Sequence, residues 1–153
     1  MPAFRTARMI EVSEPLFRLV TEGVRLHSNE VVALSSLAML VEARRRTFLL
    51  SLRRHERATL QAHFAAVPSA GVIRIDLDLS PAAADCLAKA RAWLAAELAM
   101  EASAADALSA LLFDYAVERA AARMLERLEA DSSSAQGGAV PGGDDSAKPI
   151  PIR

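Results

Sequence analysis

The sequence predicts a mainly α-helical protein whose C-terminal half forms an intertwined dimer around one strand and two helices. Three observations carry this. First, Ile73, Ile75, Leu77 and Leu79 alternate strictly with Arg74, Asp76 and Asp78, the period of a strand with one buried face. Second, no other stretch alternates as well. An isolated strand leaves its backbone donors and acceptors unpaired, so the expected partner is the same strand of a second copy. Third, the helix from about Ala104 carries Leu108, Leu111, Leu112, Phe113, Tyr115, Ala116 and Val117 almost all round its axis. A helix apolar on most sides must be covered on most sides, which again asks for a second copy. The expected dimer core is Ile73, Ile75, Leu77, Leu108, Leu111, Leu112 and Tyr115.

Composition bounds the rest. With 153 residues, 52% of them hydrophobic, the chain can bury one core and a small satellite. Cys86 is the only cysteine, which excludes an intramolecular disulfide and a zinc site of the paired-cysteine type; a small buried apolar role is expected of it. Near the N-terminus, Glu11 and Glu14 interrupt the apolar core that a signal peptide would need. The longest apolar run, residues 31–41, holds two serines and is far shorter than the roughly 20 residues that span a bilayer. A soluble, cytoplasmic protein with no membrane contact is expected.

In chain order, residues 1–9 read as a frayed basic tail. A helix starts after Ser13, with Glu14 and Pro15 in its first turn, and runs to about His27. Ser28-Asn29-Glu30 is a second start signal. From Val31 to Phe64 apolar residues recur mostly at threes, fours and sevens, which predicts one long amphipathic helix or two shorter ones in line. Pro68-Ser69-Ala70-Gly71 breaks it and sets off the strand. Ser80 and Pro81 then open a helix as cap and first residue, and Glu101-Ala102-Ser103 separates it from the next. After Ala130 the chain turns to Asp, Ser, Gly and Pro, with too few apolar residues to offset the entropy of ordering. Three segments result: an N-terminal helical domain over 1–69, the strand–helix–helix module over 70–130, and a disordered tail over 131–153. No repeat of useful length is visible.

Arg44, Arg45, Arg46, Arg53, Arg54 and Arg57 face only Glu42 and Glu56 within their stretch, a local charge of six minus two, or +4. Such a basic helix suits nucleic-acid phosphates, an acidic protein surface, or water. Phe48 and Phe64 share the spacing of the leucines and are expected in the core.

The strand with Leu-Ser-Pro, a helix, a serine turn and a second helix with paired leucines and a central tyrosine resembles the ribbon-helix-helix family of bacterial DNA-binding dimers. The likeness covers about residues 72–120 and is best in IRIDLDLSP and SAADALSALLFDYAVERA. It implies that two strands pair antiparallel in the major groove, with outward side chains reading bases, and that the start of the second helix holds a phosphate. The base readers would be Arg74, Asp76 and Asp78, and the phosphate clamp Ala102, Ser103 and Ala104. Each strand would bring one base and two acids to the DNA, so phosphate affinity would have to come from the arginines of the N-terminal half.

No Gly-rich phosphate loop, His-Glu-x-x-His or Gly-x-Ser-x-Gly is present. His27, His55 and His63 lack metal spacing, and no cofactor or metal is expected. The function expected is therefore sequence-specific DNA binding by a homodimer in transcriptional control, as a repressor or plasmid-type antitoxin. The rival is a non-enzymatic helical adaptor that dimerises through the same module and presents its N-terminal helices to a protein partner.

Overall fold

A computed structural model describes residues 6–137. The order is β1 (Thr6–Val12), α1 (Glu14–Val31), α2 (Leu37–Arg44), α3 (Phe48–Leu52), α4 (Arg57–Ala66), β2 (Ile73–Leu79), α5 (Pro81–Leu98) and α6 (Ala104–Gly137). The protein is mainly helical, with one small sheet. The described residues divide into two compact units, 6–118 and 119–137. In the second, residues 119–137 continue as helix, and nearly all side chains over 119–136 are exposed. The helix thus outruns the expected end at 130; the rest of the expected tail, 138–153, lies outside the described residues.

The expected partner strand from a second copy is not needed. β2 pairs antiparallel with β1 of the same chain, from Thr6 opposite Leu79 to Val12 opposite Ile73. The stretch read as a frayed tail is therefore, from Thr6 onward, half of the sheet. Ile10 and Val12 put it there: both are buried, Val12 completely, so pairing is reinforced by an apolar face.

The sheet is built about a local two-fold. β1 and β2 are seven residues each, and each leads into an 18-residue helix capped by a serine, Ser13 or Ser80. Each helix ends on a left-handed residue, Val32 at φ 55° or Ala99 at φ 50°. Each is followed by a second helix whose first turn is held by a serine, Ser36 or Ser103. Every one of these positions is displaced by the same interval, 67 residues, as Thr6 to Ile73 or Ser36 to Ser103. Met9 faces Asp76 in the sheet, and these two are themselves equivalents, so the two-fold passes between them. A repeat is present after all. It escapes the sequence because between residues 6 and 44 only Ser13, Glu30, Ser36, Ala38 and Ala43 are identical to their counterparts, while burial of an apolar residue tolerates exchange of one for another.

The two halves intertwine. α2 packs on β2 and α5, the strand and helix of the other half. Gly23 of α1 marks a close crossing, since a Cβ there would lie 2.8 Å from Leu112 and 3.3 Å from Leu40. Leu108, Leu111, Leu112 and Tyr115 are fully or almost fully buried within one chain, as is Leu77, while Ile73 and Ile75 are half-buried. The cover that α6 requires therefore comes from the N-terminal half, and the argument for a second copy from these residues falls.

The long helix expected over 31–64 is replaced by α2, α3 and α4 joined by turns. Ser28 does not open a helix; its carbonyl accepts from the N–H of Val32 and Ala33 and closes α1. α4 leads to Gly71, where a Cβ would lie 2.4 Å from Ser13 Cα and from Val12 O. Only glycine allows the chain to pass the end of β1 so closely before entering β2.

Candidate functional site

The outward face of the ribbon carries Met9, Glu11, Arg74, Asp76 and Asp78, all exposed. Arg74, Asp76 and Asp78 do stand together as expected, but β1 adds Glu11 opposite Arg74, and Nε of Arg74 lies 3.5 Å from Oε1 of Glu11. One base therefore meets three acids among these side chains, and the base is paired.

The turn expected to clamp a phosphate is occupied from within. Ser103 N–H donates to Oδ2 of Asp106 at 2.8 Å, its hydroxyl donates to the same oxygen at 3.0 Å, and Asp106 N–H returns a bond to Ser103 Oγ at 3.1 Å. Ala102 is buried, and its carbonyl accepts from Nε of Arg91 at 2.6 Å. A carboxylate thus sits where a phosphate would be held at the start of α6, beside Ala104, satisfying the same donors.

The six arginines do not share one helical face. Arg44 ends α2 and turns inward; Arg45 and Arg46 follow it, Arg53 and Arg54 lie between α3 and α4, and Arg57 opens α4. Nε of Arg45 pairs with Glu42 at 2.5 Å, and Arg57 with Glu97 at 3.7 Å. Arg46, Arg53 and Arg54 are exposed.

Arg44 belongs to a polar cluster that the sequence reading missed. Asp114, with its side chain 2% exposed, accepts from Ser51 Oγ at 2.6 Å and His55 Nε2 at 2.7 Å on Oδ1, and from Arg44 at 3.3 Å on Oδ2. Arg44 also pairs with Glu118 and lies over the Tyr115 ring. The signal for this was a carboxylate in the middle of the apolar run LLFDYAV. Serine, histidine and aspartate are the parts of a nucleophilic triad, but the geometry differs. The Ser51 hydroxyl is given to the carboxylate, not to His55, and both donors share one oxygen, so no imidazole stands ready to take the serine proton. The cluster instead ties α2 and the α3 region to α6.

His63 is the neighbouring tie: Nε2 meets Ser109 Oγ at 2.8 Å, and its ring stacks on Phe113 at 4.4 Å between centroids. Burial lowers its pKa from the ordinary value, so the native imidazole resists protonation. Above about pH 6.5 both native and unfolded forms are neutral and the histidine is without effect; below it the unfolded chain takes a proton that the native one refuses. Stability is expected to fall as the pH drops through that range. In thermal melts His63→Asn should flatten the fall, and an unchanged slope would exclude this histidine as its source.

Beside the ribbon, α1, α2 and the end of β2 enclose a cleft of about 1020 Å³. Val31, Met39 and Ala43 supply apolar walls, His27 lies at its base, and Glu42, Asp78 and Ser80 form a polar rim. Ser80 Oγ donates to Glu42 Oε2 at 2.6 Å, and this bond, with that from Arg45, holds the Glu42 carboxyl below its ordinary pKa. It is an anion at neutral pH. Among the described residues no group of three histidine, cysteine or acidic side chains is arranged to hold a metal ion, and no helix is long and apolar enough to cross a membrane. No family model, curated protein or solved structure matches the chain.

Proposed function

We propose that this chain is a non-enzymatic, single-chain counterpart of the ribbon-helix-helix dimer, and that it binds a protein partner rather than reading duplex DNA. The observation that carries the reading is the charge of the outward ribbon face: Glu11, Asp76 and Asp78 against Arg74, which Glu11 already pairs. Affinity for DNA comes chiefly from neutralising phosphates, and three carboxylates directed at the groove oppose it. The internal clamp by Asp106 and the pairing of Arg44, Arg45 and Arg57 remove most of the compensating positive charge.

The DNA-binding reading, as a repressor or antitoxin-type regulator, keeps two observations in its favour. The paired strands present Arg74, Asp76 and Asp78 outward, and Arg46, Arg53 and Arg54 remain exposed. The two readings separate in one experiment. Fluorescence anisotropy with mixed-sequence duplexes at low salt should show no binding by the wild-type chain. The double substitution Asp76→Lys with Asp78→Lys should create salt-dependent binding at low salt, where the wild-type chain shows none. Tight, steeply salt-dependent duplex binding by the wild-type chain would overturn the protein-partner reading.

A further inference from the structure

The two halves are alike in backbone but unlike in what covers them. On α5 and α6 the covering element is α4 with the stretch that follows it. His63 bonds Ser109 and stacks on Phe113, Arg57 reaches Glu97, and Ser13 N–H donates to Ser69 O at 3.0 Å. Displaced by the 67-residue interval, Ser109, Ala110 and Ser13 become Glu42, Ala43 and Ser80, and all three of these line the cleft on α1 and α2. The contrast in burial is plain: Ser109 and Ala110 are 0% exposed and Ser13 8%, whereas Glu42 and Ala43 are exposed and Ser80 is half-buried. The cleft is the uncovered counterpart of the seat that α4 fills.

We propose that this seat binds an amphipathic helix from a partner protein, apolar on the inserted face and bearing lysine or arginine at its edge. The proposal rests on the protein-partner reading above and gives that partner a place and a chemistry. The helical form follows from the local two-fold, because the equivalent seat takes a ten-residue helix, α4. It enters with Leu60, His63, Phe64 and Val67 at helical spacing, the anchoring pattern of a helix in a groove. The apolar requirement follows from Val31 and Met39, which are 46% and 50% exposed at the cleft. The cationic edge follows from the rim: Glu42, an anion beside Arg45, stands where the filled seat has neutral Ser109, and Asp78, whose counterpart Glu11 is also acidic, adds a second carboxylate.

The test uses the full chain and two labelled synthetic helices of one leucine pattern, one with lysines and one with glutamates on the polar face. The lysine helix should bind saturably, one per chain, and the glutamate helix about tenfold or more weaker. Ala43→Trp, which fills the cleft from an exposed position, should weaken the lysine helix about tenfold, and Glu42→Gln several-fold. Glu11→Gln with Asp76→Asn, on the ribbon face, should leave it unchanged; circular dichroism checks that each variant is folded. Failure of the lysine helix to bind, or binding indifferent to Ala43→Trp, overturns the seat. Equal weakening by the ribbon-face substitutions also overturns it, since binding would then follow general charge. None of these outcomes involves DNA, so they are distinct from the duplex binding that would overturn the underlying reading.

Discussion

Asp114→Ala is expected to destabilise the protein by about 3–5 kcal/mol, the cost of removing one partner from a buried ion pair. The carboxylate is 2% exposed and answers three donors, from Arg44, Ser51 and His55. Without it the Arg44 guanidinium, 14% exposed and with a buried Nε that already lacks a partner, keeps the half-exposed Glu118 and the face of the Tyr115 ring for compensation. Ser51→Ala removes a single hydroxyl and should cost about 1 kcal/mol. The double substitution Arg44→Met with Asp114→Leu removes both charges and should cost less than Asp114→Ala alone, because apolar groups can replace a buried pair with little loss. Urea denaturation of the three variants checks this. If Asp114→Ala lies within about 1 kcal/mol of wild type, the cluster does not hold α6 to the N-terminal half.

Deleting residues 1–12 is expected to abolish the fold. The deletion removes β1, and with it Ile10 and Val12, 8% and 0% exposed, whose burial contributes about 1.5–3 kcal/mol each. It also strips β2 of its entire ladder from Ile73 to Leu79, leaving backbone groups unpaired beside an apolar face. Against a net stability of about 5–15 kcal/mol, the combined loss leaves little or no folded chain, and what remains should aggregate through the exposed strand edge. Ile10→Asp should act in the same direction through a single buried carboxylate. Met9→Lys, on the outward face, should be tolerated. A truncated protein with a wild-type melting curve would mean that β1 contributes nothing to the fold and that the frayed tail expected over residues 1–9 extends through residue 12.

Legibility varied along the chain for physical reasons. β2, the Ser80 cap with Pro81, the break at Glu101-Ala102-Ser103 and the start of α6 all rest on local signals, alternation, capping chemistry and the φ preference of proline, and all were readable. α1 was readable at its start, where Ser13 caps it, but not at its end. Its left-handed closing residue is Val32 rather than a glycine, a conformation that a β-branched side chain rarely adopts. β1 offered only Ile10 and Val12 as a pattern, and its strand state is decided by the ladder with β2. Arg44, Arg45, Arg46, Arg53, Arg54 and Arg57 looked like one basic face because they are close in sequence. The turns after α2 and α3 disperse them, and Asp114, Glu42 and Glu97 engage three.

By itself the sequence determined the mainly helical class, the outward Arg74, Asp76 and Asp78, and the need of both the strand and α6 for cover, since each follows from periodicity within a single element. Where the cover came from was decided only in three dimensions. Pairing and packing join residues far apart in the chain, and a sequence pattern that demands a partner strand or a second helical layer is satisfied equally by another copy or by another part of the same chain. Here a second strand–helix–helix unit 67 positions away supplies it. The two units share backbone geometry and burial rather than residue identity, and their kinship appears only when the strands are seen side by side.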